Sequence, residues 1–183
     1  MKKIILMAVM SVMTLSAAAQ DWFVGGSVGA WRNNDDKVTT ISFAPEFGCS
    51  INDTWSAGTV IGWTHVHRTN VDGNIVDFRP YARYNFFKSG MVSLFVDGGV
   101  DLGFGRTSYE GYGDSDTAVT YGLGFKPGVA LSLNKHCSLV AHVGFLGFRG
   151  SNDAAKDLLD SHYEGWGFDF SSYNISFGFY YTF

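Results

Sequence analysis

The end of the chain, Tyr173–Phe183, is the feature that most constrains the fold. Successive side chains of a β-strand point to opposite faces, so alternate residues of this segment form two columns. One column is aromatic or branched and comprises Tyr173, Ile175, Phe177, Phe179, Tyr181 and Phe183. The other is small or polar and comprises Asn174, Ser176, Gly178, Tyr180 and Thr182. An exposed apolar strand at the edge of a sheet promotes aggregation, because its backbone groups are unpaired. In a closed barrel, that edge pairs with the first strand.

The start of the chain predicts export. Lys2 and Lys3 precede the apolar run Ile4–Leu15, and Ala17–Ala19 offers an Ala-x-Ala cleavage site. This order of basic, apolar and small residues is typical of a secretory signal peptide. We therefore expect residues 1–19 to be removed and residues 20–183 to form one domain.

The same alternation recurs upstream of Tyr173. The predicted strands cover residues 22–30, 38–51, 55–67, 75–86, 92–105, 117–133, 137–148 and 173–183. No later stretch is apolar for long enough to form a spanning helix, so a membrane crossing by the mature chain needs strands in a closed barrel. We predict an all-β fold, an eight-stranded antiparallel up-and-down transmembrane β-barrel.

Connection lengths predict the topology. The turns at 52–54, 87–90 and 134–136 are short, whereas the acidic loops at 106–116 and 149–167 are long. Outer-membrane barrels have short periplasmic turns and long external loops. The pattern places both termini in the periplasm and the barrel in the bacterial outer membrane.

Alternation alone does not say which face of the barrel wall contacts water, since a lipocalin-like soluble barrel would place its apolar face inside. The second face is rich in Gly, Ser and Thr, and only 16% of all residues are charged. Soluble exteriors normally carry many mixed charges. We therefore expect the apolar face to contact lipid.

The formal net charge of −4, without a basic stripe, argues against a nucleic-acid partner.

The inward face then carries a near-balanced set of charges. Its members are Glu46, Asp77, Arg79, Arg83, Asp97, Asp101, Lys126 and His142. The hairpin of the fourth and fifth strands should bring Arg79 and Arg83 beside Asp97 and Asp101, since buried charges need partners. We predict a structural, hydrogen-bonded network that plugs the lumen; a narrow pore for ions or protons is the alternative.

Two residue types invite specific expectations. All prolines lie inside predicted strands, at Pro45, Pro80 and Pro127, and we expect a bulge or a missing ladder bond at each. Cys49 and Cys137 fall on strands too far apart for a disulfide, so free thiols are expected.

No catalytic, metal or cofactor site is evident. His136 and Ser138 match a His-x-Ser pair of an outer-membrane lipid A deacylase family, but the predicted turn faces the wrong leaflet for that substrate. A lipid-modifying enzyme therefore stays the less favoured alternative. His65 and His67 lack further metal ligands.

With its export signal, eight alternating strands and aromatic end, the chain resembles the small outer-membrane β-barrel family typified by the OmpA transmembrane domain and OmpX. The resemblance implies a non-enzymatic role in envelope integrity or surface interaction, with outer-membrane lipids as surroundings. It also implies insertion by the barrel assembly machinery, which reads an aromatic last strand. The residues that match that assembly signal are Phe177, Phe179, Tyr181 and Phe183.

Overall fold

The computed structural model describes residues 21–33, 38–68, 71–109, 117–156, 164–170 and 175–183. The strands are β1 (Asp21–Asn33), β2 (Val38–Ser50), β3 (Trp55–Arg68), β4 (Val71–Ser89), β5 (Val92–Tyr109), β6 (Thr117–Ser132), β7 (Cys137–Val143), β8 (Phe145–Ser151), β9 (Gly165–Asp169) and β10 (Ile175–Thr182), with a short helix α1 (Asp153–Lys156) before β9. The predicted signal peptide lies outside the described residues.

Within those residues, no helix is long and apolar enough to cross a membrane.

The strands close into an antiparallel barrel, which confirms the predicted fold class. The wall has eight positions, which we call staves, and two of these staves each consist of two shorter strands. Strands β1 to β6 pair in chain order, and β10 pairs with β1 to complete the ring. Strands β7 and β8 both pair with β6 and are two parts of one stave. Strands β9 and β10 form the last stave against β8 and β7. We call the end with Asp21 and Phe183 the terminal end, and the opposite end the far end.

The two faces of the wall differ as the alternation predicts. Large apolar side chains stand on the outer surface and are about half exposed, among them Phe43 at 52%, Phe78 at 47% and Phe125 at 54%. One cluster of buried hydrophobic side chains comprises Phe23, Phe95, Val140 and Tyr180, with Ala130 packed against it. A barrel turned this way needs an apolar solvent around it, as a bilayer provides.

The short turns at the terminal end are held by asparagine side chains. The Asn52 amide oxygen accepts hydrogen bonds from the backbone N–H of Thr54 at 2.9 Å and of Trp55 at 2.8 Å. Asn134 does the same for His136 and Cys137. Such local bonds replace the backbone partners that a tight turn loses.

Several predicted boundaries were wrong. Strand β4 begins at Val71 and not at residue 75, and β5 continues to Tyr109, so the loop predicted at 106–116 is shorter. The loop predicted at 149–167 contains the end of β8, the helix α1 and the start of β9. Polar residues near the far end thus continue the strands, because cross-strand pairing outweighs their turn preference.

The seventh stave is broken at Gly144, which was not predicted. Gly144 has φ of 77°, a conformation that only glycine adopts without strain. The extra turn of the backbone reverses the alternation, so Phe145 points inward and is 5% exposed rather than facing lipid.

The proline expectation is confirmed at all three sites. Each proline pairs with one neighbouring strand, whereas pairing with the other neighbour is interrupted. The interruptions lie at Ala44–Pro45, Arg79–Pro80 and Lys126–Pro127. Proline has no N–H to donate, so it sits where the ladder already lacks a bond.

The barrel closes tightly only toward its terminal end. Strands β1 and β10 pair from Phe23↔Thr182 to Gly26↔Phe179, and no pairing continues beyond this among the described residues. Both strands run on, since β1 pairs with β2 as far as Asn33 and β10 pairs with β7 as far as Ile175. We call the two segments that do not pair with each other, residues 27–29 of β1 and 176–178 of β10, the seam. The strands still touch where the seam begins, since a Cβ atom built at Gly178 would lie 4.0 Å from Ser27 Cβ.

Candidate functional site

An arginine at the centre of the lumen joins several staves. Arg83 of β4 donates through Nε to Asp97 Oδ1 at 2.7 Å and through Nη2 to Asp97 Oδ2 at 2.8 Å. The same Nη2 lies 3.5 Å from Glu46 Oε1 of β2 and donates to the Tyr180 hydroxyl of β10 at 3.0 Å. All three charged groups are buried, with exposures of 5% to 6%. We call this set, with Tyr81, Phe95 and His142, the arginine layer.

Aromatic rings and a histidine complete the arginine layer. The Arg83 guanidinium lies 4.0 Å from the centre of the Phe95 ring, and Phe95 is fully buried. His142 Nε2 contacts Asp97 Oδ2 at 2.8 Å, and the Tyr81 hydroxyl donates to Glu46. The contacts therefore satisfy both carboxylates as well as the guanidinium, which is what a buried ion pair requires to be stable.

Inward glycines give the large rings their space. A Cβ atom built at Gly128 would overlap the Phe95 ring, and one built at Gly48 would overlap the Phe23 ring. The glycines that the sequence placed on the polar face thus make room for aromatic groups as well as for charges.

Replacing Gly128 with alanine should lower the free energy of unfolding by about 1–3 kcal/mol, because the added methyl group overpacks against Phe95. The measurement is urea unfolding of the protein in lipid vesicles. Gly167→Ala is the matched control, since no atom lies within 4 Å of a Cβ built there. Equal stability of the two variants would contradict the packing described for Phe95.

A second group of charges lies toward the far end. Lys126 Nζ contacts Asp101 Oδ2 at 3.0 Å and Oδ1 at 3.2 Å. A Cβ atom built at Gly62 would lie 3.0 Å from Asp77 Oδ2 and 3.1 Å from Arg79 Nη2, so both side chains occupy the space above this glycine. The Arg79 Nε is buried and has no hydrogen-bond partner among the described residues.

A cavity of about 240 Å³ occupies the lumen beside these charges. Its cationic lining residues are Arg79, Lys126 and Arg149, and its acidic lining residues are Glu46, Asp97 and Asp101. Its lining also includes residues of the arginine layer and residues of the seam. The Arg149 guanidinium lies 3.9 Å from the centre of the Phe145 ring.

The structure arranges the predicted lumen residues in two groups. Glu46, Arg83, Asp97 and His142 meet in the arginine layer. Lys126 lies opposite Asp97 in the register of β5 and β6, but its side chain pairs with Asp101 because it reaches along the lumen. Arg79 was expected beside Asp97 and Asp101, yet no ion pair between it and either of them appears among the described residues.

Sequence reasoning missed the aromatic part of the site and Arg149. Tyr81, Phe95 and Tyr180 occupy the polar columns of their strands, and that position was the available signal. Arg149 was assigned to a loop, but it lies in β8 and lines the cavity because the break at Gly144 changes the alternation.

Other candidate groups are placed as follows. Cys49 and Cys137 are free thiols, as predicted. His136 Nδ1 contacts the backbone oxygen of Thr182 at 2.8 Å, so this nitrogen is the donor. Among the described residues, no group of three or more His, Cys, Asp or Glu is arranged to hold a metal ion.

Comparison with solved structures gives distant likenesses of fold. The chain is 15% identical to Neisserial surface protein A, with a TM-score of 0.44, covering 88% of this chain and 91% of that one. It is 16% identical to Ail, the attachment invasion locus protein of Yersinia pestis, with a TM-score of 0.47 and coverage of 89% and 97%. No curated protein matches the chain.

The family model described as the outer membrane protein beta-barrel domain matches residues 4–183, nearly the whole chain. This match agrees with the closed eight-stave barrel and its apolar outer surface. The chain therefore belongs to the outer membrane protein beta-barrel domain family.

Proposed function

We propose that the protein is a non-conducting, non-enzymatic barrel of the outer membrane, with a role in envelope integrity or in surface interaction. The observation that carries this proposal is the arginine layer. It brings charged and aromatic side chains of β2, β4, β5, β7 and β10 together at one level of the lumen.

The energetics of that layer favour a plug over a pore. An eight-stranded interior is just wide enough for side chains to fill it. An ion could pass the layer only if Arg83 separated from Asp97 and Glu46. Breaking such a buried pair costs about 3–5 kcal/mol, since it strands a desolvated charge.

The orientation is part of the proposal. The short connections lie at the terminal end, which we assign to the periplasm. Phe177, Phe179, Tyr181 and Phe183 all stand exposed on the outer surface of the last stave. That position fits the proposal that the barrel assembly machinery recognises them.

His136 and Ser138 lie at the terminal end, which we assign to the periplasm, far from the external leaflet that a lipid A-modifying enzyme would need.

We expect no stepwise conductance when the protein is reconstituted in planar lipid bilayers. The folded state in the same preparation is checked by the change in electrophoretic mobility on heating. This check ensures that an absence of conductance is not caused by protein that failed to fold and insert. Discrete steps from folded protein would refute the plug and favour the narrow pore. The comparison variant is Arg83→Ser, which removes the central side chain of the arginine layer and should show measurable conductance.

A further inference from the structure

The cavity beside the arginine layer is connected to the wall of the barrel. Its lining includes Ser27 of β1 and Ile175, Ser176 and Gly178 of β10, which lie on either side of the seam. The cavity is therefore bounded there by two strands that are not hydrogen-bonded to each other.

The exposure of side chains beside the seam agrees with an opening. Val28 is 78% exposed and Phe177 is 74% exposed. Equivalent outward residues in the closed wall are less exposed, such as Phe78 at 47% and Ile61 at 45%. Extending the register from Gly26↔Phe179 would place Val28 opposite Phe177, so each lacks the cross-strand neighbour that would cover it.

Gly26 marks the point where the pairing stops. Its φ is 150°, and a Cβ atom there would lie 2.5 Å from the backbone oxygen of Ala44. The ladder with β10 ends at this glycine, whereas the ladder with β2 continues through it. Another residue at position 26 would be strained at this φ.

Arg79 is the group in the cavity that suits an anion. The lining also contains Lys126 and three carboxylates. Glu46 and Asp97 contact Arg83, and Asp101 contacts Lys126, whereas no ion pair of Arg79 is found among the described residues. Arg79 Nε is a buried donor without an acceptor among the described residues, whereas buried donors are nearly always bonded. Arginine presents a planar fork of donors to an oxyanion, and lysine binds phosphate as a point charge.

The size of the cavity limits what can enter. Pockets for whole small molecules measure about 300–1,000 Å³. A cavity of about 240 Å³ suits a headgroup rather than a complete lipid. The seam would let apolar chains remain outside, against Val28, Ile175 and Phe177.

We propose that the lumen binds the phosphate group of a membrane lipid, which enters sideways through the seam. Arg79 and Lys126 hold the phosphate, while the acyl chains stay in the bilayer against the outer face of β1 and β10. This site does not depend on whether the arginine layer blocks conduction.

The test is calorimetric titration of the purified full chain, in micelles of a neutral maltoside detergent, with short-chain phosphatidic acid. We expect saturable binding that Arg79→Gln and Lys126→Gln each weaken by about tenfold or more, since each removes a charge-assisted contact. Diacylglycerol of the same chain length should bind more weakly because it lacks the phosphate group. Inorganic phosphate should also bind more weakly because it lacks the acyl chains.

The matched control is Arg106→Gln, which removes a cation from the exposed far end of β5 and leaves the cavity intact. An equal loss of affinity in this variant would reduce the effect to general surface charge and overturn the proposal. So would the absence of binding to folded wild-type protein, or diacylglycerol binding as tightly as phosphatidic acid.

The sideways route is tested separately with Val28→Trp, which places a bulky side chain on the outer face beside the seam and outside the cavity lining. We expect this variant to lose affinity for phosphatidic acid and to keep whatever affinity it has for inorganic phosphate. Unchanged binding of phosphatidic acid, or inorganic phosphate binding as tightly as the lipid, would show a free-anion site reached through the lumen and would overturn entry from the membrane.

Discussion

Replacing Arg83 with alanine should lower the free energy of unfolding by about 3–5 kcal/mol, the cost of removing one partner from a buried ion pair. Asp97 is 6% exposed and Glu46 is 5% exposed, and both would lose the guanidinium that they contact. The ring of Phe95 would also lose its cationic neighbour at 4.0 Å. Urea unfolding in lipid vesicles, followed by tryptophan fluorescence, measures the change.

Arg106→Ala is the control for Arg83→Ala, because it deletes an exposed arginine from the next strand. Its effect should stay within about 0.5 kcal/mol, as for ordinary surface substitutions. The double variant Arg83→Ala/Asp97→Ala should be less destabilised than the sum of its single variants, since it removes both charges of the pair. Additive single effects would mean that the two residues do not stabilise each other.

Replacing Phe95 with alanine should lower the free energy of unfolding by about 3–5 kcal/mol, in the range for deleting a buried aromatic ring. Phe95 has no exposed surface, and its ring contacts both Arg83 and His142, the latter with ring centres 5.3 Å apart. The substitution therefore leaves a void beside the ion pair as well as removing apolar contacts.

Phe104→Ala makes the same chemical change on the same strand, at an outward position that is 56% exposed. It loses transfer energy but leaves no internal cavity, so it should cost less than Phe95→Ala. The comparison uses the unfolding experiment described for Arg83. If Phe104→Ala proved the more costly of the two, the stability of the barrel would rest on its outer surface and not on the arginine layer.

The eight staves could be predicted because each obeys one local rule. Alternation of apolar and small residues has a period of two, and a membrane barrel repeats it on every strand. The prolines could also be interpreted from sequence, since a residue without an N–H must lie where the ladder lacks a bond. The pairing of Arg83 with Asp97 follows in the same way from a hairpin register.

Other features depend on geometry that no local pattern records. The inward turn of Phe145 results from one positive φ angle at Gly144, and the sequence contains many glycines without that conformation. The end of pairing at Gly26 depends on how two strands meet after the whole ring has formed. The aromatic neighbours of Arg83 lie on three different strands, β4, β5 and β10, so their contact depends on the tilt of the barrel.

The partial closure between β1 and β10 gives the two ends of the barrel different mechanical properties. Around the terminal end, every stave is bonded to both neighbours, so the circumference cannot change unless hydrogen bonds break. Toward the far end, the described staves at the seam can move apart or together without that penalty. We therefore expect the circumference at the far end to change more easily, at the seam, than the circumference at the terminal end.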